Sequence, residues 1–310
     1  MRVGVVDCGT NTVRLLIADA SDGVLTDVVR VLRFVRLGQG VDATHQFHKD
    51  ALTRTFAALD DYAGLIAQHG PLDGLRFLAT SAARDATNRD EFFDGVWARL
   101  GVEAEVISGA QEARLSFLGA LAGGPVPVGR TLVMDIGGGS TELIVGDQAG
   151  RVEVAHSFDM GSVRLRERYL LDDPPTPQQV DDATQFVTSQ LHSGSVDLAT
   201  PVACFIGVAG TCTSLSAMRQ GLTTYDQRRV HNSLLPVSQI KRLAGQLLDC
   251  PVDKVRAQYP ILEPMRAEVI CAGALICEVV ASRVDKPMLV RETDILDGAA
   301  LDMVPRNQLS

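Results

Sequence analysis

Residues 7–19 and 135–147 run as two copies of one pattern, and that duplication limits the folds open to the chain more than any other feature. Each copy follows an apolar run, Val3-Gly4-Val5-Val6 or Thr131-Leu132-Val133-Met134. Each then turns at an aspartate, as Asp7-Cys8-Gly9-Thr10-Asn11-Thr12 or as Asp135-Ile136-Gly137-Gly138-Gly139-Ser140-Thr141-Glu142. An apolar stretch resumes, Leu15-Leu16-Ile17 or Leu143-Ile144-Val145, and closes on Asp19 or Asp147 at the same offset. A strand, a tight turn of small polar residues and a returning strand predict a hairpin whose tip offers backbone N–H groups and hydroxyls, a surface suited to phosphate. Two such hairpins in register predict duplicated lobes that clamp a phosphate chain between them.

With 310 residues, 46% hydrophobic and 22% charged, the chain can bury two sizeable cores, and two domains are expected. Gly123-Gly124-Pro125-Val126-Pro127 is the natural linker, which places an N-terminal lobe at residues 1–124 and a C-terminal lobe with added helices at 125–310. The formal net charge of −9 argues against nonspecific nucleic-acid binding, which needs a basic surface. Apolar segments stop short of a membrane span, and a strand begins at Val3 with no leader pattern ahead of it, so no membrane and a cytoplasmic location are expected. Six cysteines form no CxxC pair, so reduced thiols are expected in place of a zinc site or a disulfide framework.

Between the two copies the pattern predicts a helix over 49–69, a strand over 75–79, a polar segment Thr80 to Asn88, a helix ending near Leu100 and a strand over 103–107. Ser108 with Gln111 three residues on reads as a capping box opening the next helix. In the second half, Val202 to Val208 reads as a strand followed by Ala209-Gly210-Thr211 and a helical stretch from Cys212, an arrangement suited to anion capture. The apolar segment Met265 to Arg283 predicts one long, largely buried helix, and a final helix begins near Ile295.

Asp135 and Glu142 are expected to face each other across the second hairpin and to hold one hard divalent cation, magnesium being the natural candidate. Gly137, Gly138 and Gly139 remove every Cβ between them, so a phosphate can approach the backbone, with Ser140 adding a hydroxyl. Asp7 is the counterpart of Asp135, but Arg14 stands where Glu142 would be, which makes the lobes inequivalent: metal on one side, phosphate through a guanidinium on the other. Thr10 and Asn11 supply donors at the first tip. Arg84, just beyond a strand and among small residues, is placed to reach phosphate with its planar fork. Arg164 and Arg166 are weaker candidates, since Arg166-Glu167-Arg168 also reads as an ordinary salt-bridged helix surface; His231 reads as structural and Cys8 as a space-filler.

The blocks Asp7 to Arg14, Ser108 to Ala113, Asp135 to Glu142 and Gly207-Val208-Ala209-Gly210-Thr211 resemble, in order and spacing, those of the exopolyphosphatase/guanosine pentaphosphate phosphatase family. Thr80 to Asn88 and Gly161-Ser162-Val163-Arg164-Leu165 resemble further blocks, so the likeness runs from Met1 to about Asp302. The resemblance implies an α/β fold of the actin/Hsp70/sugar-kinase superfamily, with two ribonuclease-H-like lobes, an interlobe cleft and a homodimer. It implies Glu112 as the general base, although Gln111-Glu112 stands where two adjacent glutamates are common in the family. It also implies phosphate contacts from Asp7, Thr10, Asn11, Arg14, Arg84, Gly137 to Ser140, Gly207, Gly210 and Thr211. The activity so implied is metal-dependent release of the terminal phosphate from inorganic polyphosphate. Guanosine pentaphosphate hydrolysis, a kinase of the same fold and a noncatalytic polyphosphate- or nucleotide-binding protein stand as alternatives.

Overall fold

The computed structural model describes residues 1–21 and 23–305. It resolves the chain into two compact units, residues 1–122 with 294–310 and residues 123–293.

Unit 1 opens with the first hairpin, β1 (Arg2–Cys8) and β2 (Thr12–Ser21), and extends it through β3 (Val24–Phe34). It continues through α1 (Val41–Thr44), α2 (Lys49–His69), β4 (Gly74–Ala79), α3 (Ser81–Asp85), α4 (Arg89–Leu100), β5 (Ala104–Val106) and α5 (Gly109–Ala122). The sheet order is β3-β2-β1-β4-β5, with the hairpin strands antiparallel and β1, β4 and β5 parallel. This is the ribonuclease-H-like arrangement. Strand alternation gives each face of the sheet its own core. Val6, Cys8, Val13, Leu15 and Ile17 pack with Leu52, Leu59, Tyr62 and Phe92 from α2 and α4. Val3, Val5, Leu16, Ala18 and Leu78 face the other way, toward Leu115 of α5.

Unit 2 carries β6 (Thr131–Ile136), β7 (Thr141–Gly146), β8 (Val152–Phe158), α6 (Ser162–Tyr169), α7 (Pro177–Ser193), β9 (Cys204–Val208) and α8 (Ala209–Arg219). Then come α9 (Gln227–Val230), β10 (Ser233–Leu235), α10 (Val237–Leu248), α11 (Val252–Gln258), α12 (Pro264–Ala267), α13 (Ile270–Val284) and β11 (Met288–Val290). The order β10-β11-β9-β6-β7-β8 repeats the first sheet, with β6, β9 and β11 as its parallel strands and β10 added at the edge. The expected single helix over Met265 to Arg283 is in fact two, separated at Glu268 and Val269. α13 is apolar almost all round because α6, α7, α8 and α10 surround it.

The last helix, α14 (Ile295–Asp302), returns to unit 1, whereas the sequence grouped it with 125–310. Ile295, Leu296, Ala299 and Ala300 complete the core beneath Val3, Val5 and Leu16. The contact with α5 is backbone on backbone: a Cβ on Gly119 would lie 1.7 Å from the Asp294 carbonyl oxygen, and one on Gly298 1.9 Å from that of Leu115. Only glycine lets these helices approach so closely. Among the described residues, no helix is long and apolar enough to cross a membrane.

Candidate active site

In each unit the expected residues lie at or just beyond the carboxyl ends of the parallel strands and in the hairpin strand beside them, the edge where open α/β sheets bind ligands. The two hairpins close with the same turn bond. Gly9 N donates to Thr12 O at 2.9 Å and Gly137 N to Ser140 O at 3.0 Å. The register sets Asp7 opposite Arg14 and Asp135 opposite Glu142. Even the irregularity farther down repeats, between Ile17 and Ala18 and between Val145 and Gly146.

In unit 1 the carbonyls of the tip are already engaged: Thr10 O accepts from Gly38 N, and Asn11 O from Val35 N and Arg36 N. Thr10 Oγ1 lies 2.9 Å from Ser81 Oγ, which joins the tip to the first turn of α3. The last turn of that short helix carries Arg84. Its Nη1 donates to Glu112 Oε2 at 2.8 Å and to the Ile107 carbonyl at 2.9 Å. Glu112 is buried in the first turn of α5. The capping box there forms as expected, Gln111 N donating to Ser108 Oγ at 3.2 Å and Ser108 N to Gln111 Oε1 at 2.9 Å. The sequence thus named two partners 28 residues apart without indicating that they pair.

Arg14 is bound within unit 1. Its Nε and Nη2 donate to Asp7 Oδ2 at 3.0 and 2.6 Å, and its Nη1 bonds Asp294, the N-cap of α14. Burial pulls the Arg14 guanidinium down, but Asp294 and Asp7 outweigh it and hold it well above its ordinary value. The fork is occupied by two carboxylates, so any phosphate contact would compete with both. Burial pushes the Asp7 carboxyl up, with Arg14 opposing. Two acceptor oxygens near the tip, Asp7 Oδ1 and Asn11 Oδ1, are buried without a partner.

In unit 2 the glycine loop is held from its carbonyl side by the start of α6. Gly137 O accepts from Ser162 N, and Gly138 O from Val163 N and Arg164 N. This explains the Gly161 block: a Cβ on Gly161 would sit 2.3 Å from the Gly138 oxygen. The carbonyl side of the loop is thus engaged, and its opposite edge is the N–H edge from Gly138 to Ser140. Asp135 and Glu142 are both buried, and Ser157 Oγ donates to Glu142 Oε1 at 2.6 Å. Paired on one face of the ladder, these hard oxygen donors fit a divalent cation. Among the described residues no group of three or more His, Cys, Asp or Glu gathers as a metal cluster.

Gly207 lies inside β9 and not in a turn. A Cβ there would meet Met288 Sδ at 2.2 Å, which gives this glycine a packing reason of its own. Thr211 is buried in α8, and a Cβ on Gly273 would sit 2.6 Å from its hydroxyl. Ala209 opens α8 with φ 65°, and a Cβ on Gly210 would lie 2.2 Å from Arg266 Nη1. Arg266, which sequence reasoning passed over, therefore covers the N-terminus of α8. Its only signal was a charge, beside Glu268, at the start of the apolar run from Met265.

The fold of both units and this edge of paired polar groups define a phosphatase of two ribonuclease-H-like lobes, and the chain belongs to the Ppx/GppA phosphatase family, which it matches over residues 16–302. Among its relatives, Exopolyphosphatase 2 of Mycobacterium tuberculosis is 43% identical, with 97% of this chain and 98% of that one covered. A crystal structure of an exopolyphosphatase-like protein superposes with a TM-score of 0.91 at 39% identity, covering 97% of this chain and 98% of the other. The Aquifex aeolicus family member follows with a TM-score of 0.84 at 30% identity, covering 100% and 99%.

Proposed function

We propose that this chain is an exopolyphosphatase that hydrolyses the terminal phosphoanhydride of inorganic polyphosphate and releases orthophosphate. The observation that carries the reading is the Glu112–Arg84 pair, a buried carboxylate fixed by a guanidinium at the carboxyl edge of a sheet. Likeness along almost the whole chain to a protein named an exopolyphosphatase supports it. Glu112 takes a proton from the attacking water, whose oxygen bonds the terminal phosphorus as the bridging oxygen leaves with the shortened chain. Arg84 holds Glu112 in orientation and offers its remaining donors to the phosphoryl oxygens. Thr10, the Gly138 to Ser140 N–H edge and the start of α8 at Gly210 and Thr211 bind phosphate oxygens. The chemistry is mostly positioning and charge compensation, so no covalent intermediate is needed.

Asp135 and Glu142 are the residues that would hold magnesium, which when bound offsets charge on the phosphate oxygens. The same reading includes a homodimer, which sedimentation of the purified protein would test, and a cytoplasmic location, which fractionation of cells would test. The deciding assay compares phosphate release from short polyphosphate, long polyphosphate, guanosine pentaphosphate and ATP in the presence of magnesium. Release from polyphosphate that stops on chelation and in Glu112→Gln is the expected result. Release from guanosine pentaphosphate alone would replace the substrate, and release from none would overturn the reading.

A further inference from the structure

Glu142 is 1% exposed and stands in one row of the second sheet between two polar neighbours. The register sets it opposite Asp135 on β6 and opposite Ser157 on β8, and the strand order β6-β7-β8 puts those two on either side of it. All three share a face. Met134, Ile136, Leu143 and Phe158 enter the core of unit 2, so strand alternation turns Asp135, Glu142 and Ser157 the other way. Ser157 Oγ donates to Glu142 Oε1 at 2.6 Å, the length of a charge-assisted O–H bond, about 2.5–2.7 Å. Oε1 is therefore held toward β8, on the side away from Asp135. In the equivalent row of the first sheet, Asp7 and Arg14 are followed by Leu32, which has no side-chain donor to give. The hydroxyl accompanies the second carboxylate and is absent where that carboxylate is absent, so the duplicated hairpin does not itself require it.

We propose that Ser157 is a positioning residue that sets the cation preference of this pair: by engaging Oε1 it restricts Glu142 to one-oxygen binding, which favours magnesium over calcium. The inference rests on the reading of Asp135 and Glu142 as cation ligands. Calcium gathers about six to eight oxygens in a flexible shell and accepts a carboxylate through both of its oxygens. Magnesium demands a tight octahedron and keeps several waters, so it takes one oxygen from a carboxylate. A hydroxyl on Oε1 draws charge from that oxygen and fixes the plane of the carboxylate, and both effects oppose two-oxygen binding. Without the hydroxyl that restraint is lost, and the carboxylate turns to meet a larger ion with both oxygens. Groups that orient a ligating side chain change metal affinity by about 10- to 100-fold, so one hydroxyl is enough to decide between two ions of equal charge.

The test follows free Mn2+ by electron paramagnetic resonance with no substrate present, and displaces the bound ion with Mg2+ or with Ca2+. The ion of interest is the one lost in Glu142→Gln. In Ser157→Ala its site should bind Mg2+ about 10-fold more weakly while Ca2+ affinity holds or rises, so the preference shifts by about 10-fold or more. Ser157→Thr keeps the hydroxyl and should keep the native preference. Ser157→Val has the shape of threonine without the hydroxyl and should behave as Ser157→Ala, which separates the hydrogen bond from packing. A strand that is merely loosened weakens both ions alike, so an equal loss of Mg2+ and Ca2+ overturns the proposal. So does a native preference in Ser157→Ala or Ser157→Val. If Glu142→Gln loses no ion, Glu142 is not a ligand and this inference falls with that assignment, whereas an unchanged preference removes Ser157 alone. Turnover is not read, so phosphate release decides the exopolyphosphatase reading separately.

Discussion

At the residue scale, two arginines that look alike in sequence perform different tasks. Arg84 reaches Glu112 and the Ile107 carbonyl from a short helix, while Arg14 is held between Asp7 and Asp294. Position 14 was legible as a charge opposite Asp7, but its second partner lies 280 residues away, and no local pattern could announce it. Glu112→Gln should keep the fold and the substrate KM while lowering kcat by about 100-fold or more, read from steady-state phosphate release. Asp7 supplies a pH prediction. Its native carboxyl is held above the ordinary range by burial, with Arg14 opposing. Stability from such a group is full below the unfolded pKa and is lost as pH rises through the native one. Asp7→Asn keeps the neutral form throughout, so its melting temperature relative to the native chain should climb as pH rises out of the carboxylate range. Melts with chelator present, from pH 4 to 8, check this; a constant difference would count against it.

At the element scale, the duplicated hairpins were readable because register is a sequence property: equal spacing gave equal turns and even the same irregularity, at Ile17/Ala18 and Val145/Gly146. The capping box of α5 was readable for the same reason, since Ser108 and Gln111 are three residues apart. What supports the hairpins was not readable, because it arrives from distant segments. Gly161 gave a motif without a reason until α6 was found resting on the Gly138 carbonyl. Gly207 has a packing reason that no local pattern carried, since Met288 comes against it only in the fold. Gly161→Ala should push the start of α6 off the glycine loop. The expected result is a KM for polyphosphate several-fold higher with secondary structure intact, measured by initial rates beside circular dichroism, and an unchanged KM would remove the loop from substrate binding.

At the scale of the whole molecule, the chain leaves unit 1 after Ala122 and returns at Asp294, so unit 1 is discontinuous in sequence and unit 2 is not. The linker at Gly123-Gly124-Pro125 was visible as a cluster of breakers, whereas the return carries no such mark: Thr293-Asp294-Ile295 runs straight into a helix. Physical continuity of the cores then sets which fragments can fold. Residues 123–293 contain both ends of their sheet and the helices that fill their core, and they should unfold cooperatively on their own. Residues 1–122 lack Ile295, Leu296, Ala299 and Ala300, leaving Val3, Val5, Leu16 and Leu115 with one side of their cluster open to water. That fragment should melt without cooperativity, and joining residues 294–305 to its end through a short flexible linker should restore a single sharp transition, since α14 packs on α5, where the fragment ends. Urea titrations of the three fragments followed by circular dichroism make the comparison. A sharp transition in 1–122 alone would mean that α14 covers a core already complete.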